Sequence, residues 1–154
     1  MQGVCEQCGG TTAHPSMTCA DRFAALLALD HSRQEPWGSR HGLAFAAYTL
    51  QHPATQPRES LEQCWLMLCR VYVAGGNRMR VTRALRTYGG RVPDDWEVPP
   101  LPKRATPPAA FETTIADLGA FAAADYATRL DAWCRATLVG WGLASTSFAR
   151  PAAD

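Results

Sequence analysis

Ser60-Leu-Glu-Gln-Cys-Trp-Leu-Met-Leu-Cys-Arg-Val-Tyr72 is the stretch that decides the fold class. Leu61, Trp65, Leu68, Cys69 and Tyr72 recur at spacings of three and four, which is the period of one face of an α-helix. Ser60 and Gln63 have the form of a capping box, so the helix is expected to start at Ser60. Gly75-Gly76 ends it, because glycine accepts the left-handed backbone that closes a helix.

The same period extends to both sides. Upstream, a helix is expected over residues 20–31, opened by Thr18 with Asp21 three positions later, with Phe23, Leu26, Leu27 and Asp30 on one face. A second is expected from Ser39 to Gln51 and stopped by Pro53. Downstream, a helix from Asn77 to Tyr88 is closed by Gly89-Gly90. Residues 113–142 read as a short helical piece to Ala120, then a longer one carrying Tyr126, Leu130, Trp133, Leu138 and Trp141. The tail from Ser145 is expected to fray. No segment alternates with period two. The architecture expected is all-α, a compact bundle of five to six helices with a Cys-rich, zinc-knuckle-like element at its start. Its parts are a metal-binding segment over 1–19, a helical core over 20–90, a connection over 91–110 packed on or near the core, and C-terminal helices of the same domain over 111–154. The connection holds six of the eleven prolines and reads as extended from Pro99 to Pro108.

Composition narrows the function. The chain has 154 residues, 47% of them apolar and 19% charged, enough for a buried core. Fifteen basic and fourteen acidic side chains give a net charge of +1, which excludes polyanion binding as the main theme. No apolar run reaches the ~18–20 residues of a membrane span. The first residues lack the pattern of an export signal, so a cytoplasmic protein is expected.

Six cysteines then require a reason, and three lie in the first 19 residues. In a reducing compartment metal binding or thiol chemistry is favoured over disulfides. Cys5-Glu-Gln-Cys8-Gly-Gly10 can turn two sulfurs toward one ion, and the glycines permit the tight backbone this needs. Cys19 supplies a third sulfur. His14 is the first candidate for the fourth ligand, and His41 the second; His31 or His52 could also fold back to take that place. A redox dithiol is disfavoured, since such pairs sit at helix N-termini after a strand.

His41, Tyr48 and His52 fall within roughly 40° of one direction on the second helix, at about 100° per residue. About 16 Å of helix separates the two histidines, so both cannot ligate one ion. The three, with Cys64, are the candidates for a small-molecule pocket and for catalysis. A bland reading stands beside each: Tyr48 as core, and His52 before Pro53 as a helix cap.

These residues carry a resemblance. Cys5, Cys8, Gly9 and Cys19, followed by His41, Leu43, Tyr48, Gln51, His52 and Pro53, resemble the pattern of the bacterial domain-of-unknown-function family 5946. That pattern has a Cys-x-x-Cys-Gly start, a further Cys, and then His-x-Leu-Thr-x-Asp-Ala-Tyr-x-x-Gln-His-Pro. The resemblance covers most of the chain and implies zinc and an all-α fold, with no reaction attached. The chain departs from the pattern at Ala46, where the family has Asp. It departs again at Cys64, where a His is expected, and near Ala144 and Ser145, where a His pair is expected. Cys64 in place of a histidine would keep a ligand while softening it.

Arg78, Arg80, Arg83, Arg86 and Arg91 form a stretch without acids, but they spread over about 200° of a helix, as a solvated face does. Nucleic acid is therefore a possible partner but not the favoured one. Cys69, Cys134, Trp65, Trp133 and Trp141 read as core, while Trp37 and Trp96 fall in expected loops. The function expected is that of a small zinc-binding protein, acting as an enzyme or accessory protein on a small molecule near His41, Tyr48 and His52. The alternative is a non-catalytic, zinc-stabilised interaction module that binds protein or nucleic acid. An enzyme would present an open zinc position; three sulfur ligands favour a structural ion instead.

Overall fold

A computed structural model describes residues 3–14, 16–87, 97–103 and 111–149. The fold is mostly helical. Its elements are β1 (Gly3–Val4), β2 (Thr11–Thr12), α1 (Cys19–His31), α2 (His41–Gln51), α3 (Arg58–Tyr72), α4 (Arg78–Thr87) and α5 (Tyr126–Gly140). Short 3-10 turns lie at Gly38–Arg40, Pro53–Thr55, Ile115–Leu118 and Ser145–Ser147.

The local signals explain most boundaries. Thr18 and Asp21 form the expected capping box at α1: the Thr18 hydroxyl accepts from the Asp21 amide at 3.1 Å, and the Asp21 carboxylate accepts from the Thr18 amide at 2.8 Å. Those bonds hold the Asp21 carboxyl below the usual carboxylate range. The expected start of α3 is corrected. It opens at Arg58 with Pro57 as its cap residue, and no side chain caps it. Proline's fixed φ and missing N–H suit a helix entry, so Ser60 lies inside the first turn. The segment from Ser39 begins as a 3-10 turn and becomes α-helical only at His41. The chain also has a two-stranded antiparallel ladder that period-two reading did not anticipate, with Gly3 opposite Thr12 and Val4 opposite Thr11. Strands of two residues are too short to show alternation.

α2 is the central helix, packed on α1, α3 and α5. Leu43, Ala44, Ala46, Ala47 and Leu50 are buried, and the alanines let the neighbouring helices come close. Facing them are Trp65 and Leu68 from α3 and Leu130, Trp133, Cys134 and Leu138 from α5. α4 buries only Val81, so most of its arginines face outward. Residues 97–103 are irregular and lie along α3, where Pro99 accepts from the Trp65 indole at 2.7 Å and Leu101 is buried. The end of the chain is folded as far as residue 149: the Ala149 amide donates to the Tyr72 carbonyl at 2.9 Å, in place of the fraying expected from Ser145. The closing Gly89-Gly90, together with Arg91 and Trp96, lies outside the described residues. No helix among the described residues is long and apolar enough to cross a membrane.

Gly140 shows how tightly the core is closed. A Cβ there would fall inside van der Waals contact with the ring of the buried Phe111. Gly140→Ala is expected to destabilise the protein by about 1–3 kcal/mol, as overpacking does, and chemical denaturation measures it.

Candidate metal centre

The first turn of the chain builds a cradle for sulfur. The Cys5 amide donates to the Gly10 carbonyl at 2.9 Å, and the Gly9 amide donates to the Cys5 carbonyl at 2.9 Å. Gly9 has a φ of 75°, a conformation glycine adopts without strain. The loop so closed turns the Gly10 amide onto the Cys8 sulfur at 3.3 Å. Cys19, the first residue of α1, brings its sulfur to 3.7 Å from that of Cys8.

The fourth group comes from the far end of α2. His52 leaves the helix with φ −128° and ψ 60°, held out of helical geometry by the following Pro53. Its ring nitrogen Nδ1 donates to the Tyr48 carbonyl at 2.8 Å. That bond fixes the tautomer and leaves Nε2 with a free lone pair. Nε2 is buried and has no hydrogen-bond partner in the structure. One ligand atom from each of Cys5, Cys8, Cys19 and His52 lies within 4.8 Å of the other three, a group that can hold a metal ion. Gln7 ties the loop tip to the same corner, its side-chain oxygen accepting from the Ala54 amide at 3.0 Å.

Most of the cluster is buried. Cys8, Cys19 and His52 are buried, while Cys5 is half-buried. The adjacent Cys19 thiol and burial together push the Cys8 thiol up to about 12, against a smaller downward pull from His52. A redox dithiol needs the opposite shift. A strand does precede this Cys-x-x-Cys pair, but β2 follows it, so no helix N-terminus lowers either thiol.

The sequence candidates therefore separate. His14 is exposed and is not part of the cluster, and the histidine that lies beside the three cysteines is His52. His14 follows β2, whose pairing with β1 carries it past the loop that holds the sulfurs. Tyr48 is the middle ring of a stack, 3.9 Å from Phe23 and 4.2 Å from His52 between ring centroids. Burial raises its hydroxyl above the ordinary value. This is the environment of a positioning ring, and Tyr48→Phe is expected to keep both the metal content and the stability of the parent protein to within about 0.5 kcal/mol. Metal analysis and thermal denaturation check this.

His41, at the opposite end of α2, is not in the cluster. Its Nδ1 lies 3.0 Å from Oδ2 of Asp30, whose side chain is fully buried. The sequence did not pair these two, although Asp30 on the apolar face of α1 was a signal. Cys64, His41 and Ala46 line one cleft. Burial pushes the Cys64 thiol up to about 12, which keeps it protonated. Cys69 and Cys134 are core residues, and the Cys134 thiol donates to the Leu43 carbonyl.

Gln51 was quoted in the motif but given no role. It is fully buried and saturated: its amide donates to the Thr113 carbonyl at 2.9 Å and the Thr137 hydroxyl at 3.0 Å, and its oxygen accepts from the Trp133 indole at 3.1 Å. It clamps the end of α2, one residue before His52, onto α5.

No curated protein and no solved structure matches the chain. Residues 3–142 match a family of unknown function, DUF5946, and the match runs from the sulfur cradle through α5. The chain belongs to the DUF5946 family.

Proposed function

We propose that Cys5, Cys8, Cys19 and His52 bind one zinc ion, and that the ion is structural. The observation that carries this is the buried Nε2 of His52, left without a partner beside three sulfurs. A buried polar atom without a partner is costly, and a metal ion satisfies it. The donor chemistry fits. Thiolates about 2.3 Å from a tetrahedral zinc stand roughly 3.8 Å apart, and the Cys8 and Cys19 sulfurs are 3.7 Å apart. Four protein ligands close the coordination sphere and leave no place for substrate.

The ligands come from three elements: the loop between the strands, the start of α1 and the end of α2. Zinc would therefore fasten the N-terminal hairpin onto the helical bundle. The hairpin needs such a fastener, since two-residue strands do not hold together alone. The protein is thus a zinc-stabilised helical module, and any ligand it recognises binds at another surface.

The test is metal analysis of protein purified without added metal. One zinc per chain is expected, and cobalt replacing it is expected to give the visible absorption of a tetrahedral thiolate site. Protein without stoichiometric metal, and with no uptake of zinc or cobalt, would overturn the assignment.

A further inference from the structure

A second place in the molecule is built as a site. His41, Gly42, Phe45 and Ala46 of α2 face Met67 of α3 and Leu85 of α4 across a cleft of about 400 Å³. That volume is in the range of small-molecule pockets. The lining is mostly apolar, and Phe45 stays 45% exposed at it. Apolar surface left open in a concave position is where ligands bind.

The polar side chains of the cleft are His41, Gln63, Cys64, Thr82 and Arg86, and of these Arg86 alone carries a fixed charge. Arg86 forms no ion pair among the described residues, and no acidic residue lines the cleft. His41 is the other ionisable group with a polar tip there besides the Cys64 thiol. Its side chain is 35% exposed, and behind it stands the fully buried carboxylate of Asp30. Oδ2 of Asp30 meets His41 Nδ1, while Oδ1 is buried without a partner. Burying a carboxylate that is only half satisfied is expensive. A hydrophobic residue would serve the α1–α2 contact at lower cost. What the pairing does achieve is to fix the orientation of the imidazole and leave Nε2 as its one unengaged polar atom.

We propose that this cleft binds a small organic anion with an apolar body. Phe45, Met67 and Leu85 receive the body and Arg86 pairs with the anionic head, while the imidazole of His41, held in place by Asp30, forms one wall of the cleft. The site is separate from the zinc cluster and stands or falls independently of it.

The probes are octanoate, octyl phosphate and 1-octanol, titrated calorimetrically into the full zinc-loaded chain. At least one of the two anions is expected to bind saturably, at least about tenfold tighter than the alcohol, as a charge-assisted contact requires. The tighter anion identifies the head group as carboxylate or phosphate. Arg86→Gln is expected to reduce that anion to the affinity of the alcohol. Gln63→Trp, which places a ring at the cleft from an exposed position of α3, is expected to weaken all three probes. Both residues are exposed, so zinc content and thermal stability stay at parent values and report an intact fold. Failure of both anions to bind saturably would overturn the proposal, as would an anion affinity that Arg86→Gln leaves unchanged.

Discussion

His52→Ala is expected to lower zinc affinity by more than a hundredfold, while His14→Ala and His41→Ala leave it unchanged. A structural zinc contributes an apparent ~10–16 kcal/mol, so one of four ligands accounts for roughly 3 kcal/mol, which is a factor above one hundred. Cys8→Ser is expected to go further. Cys8 is fully buried, and its sulfur both accepts the Gly10 amide and faces Cys19, so its loss breaks the loop as well as the ligand set. Competition with a chromogenic chelator measures the affinities, and proton NMR of the Thr11 and Thr12 amides follows the hairpin. Loss of zinc in His14→Ala, with full retention in His52→Ala, would show that the hairpin carries the ion without α2.

The second large effect lies in the core. Gln51→Leu is expected to destabilise the protein by about 2–4 kcal/mol, since it leaves the fully buried Trp133 indole N–H unpaired and removes the bonds to Thr137 and Thr113. For a chain of this size the loss corresponds to roughly 6–12 °C in Tm. Zinc is expected to remain at one per chain, because the Gln51 side chain bonds Thr113, Thr137 and Trp133 and none of the four cluster side chains. Denaturation and metal analysis on the same sample therefore separate a clamp from a ligand. A variant as stable as the parent would mean that the Gln51 network adds nothing beyond filling space.

Much of this was readable from local chemistry. The Thr18–Asp21 box, the three-and-four spacing of α3 and the apolar face of α5 are each set by residues within one or two turns, and all appear where their spacing put them. So do three of the four cluster residues, because Cys5, Cys8 and Cys19 are neighbours in sequence. His52 is different. Four histidines were available, and proximity along the chain favoured His14. The choice is made by the packing of α1 against α2, which returns the end of α2 to the start of α1, and no local rule encodes that return. Asp30 and His41 were missed for the same reason, since their pairing exists only once the two helices are antiparallel neighbours. The start of α3 was misplaced because Ser60 looked like a cap, when the rigid Pro57 had already opened the helix.

With zinc bound as proposed, the spread of the four cluster residues along the chain would have a kinetic meaning. Three are in hand once the first nineteen residues exist, but the set is complete only when α2 has formed and swung back. An ion bound there acts as a cross-link that closes a long loop, and such links remove more freedom from the unfolded chain the longer the loop. Docking of α2 would then be the step that locks the metal in. On the return path, metal release is expected to keep pace with the opening of α2, which would withdraw His52, rather than with melting of the whole bundle.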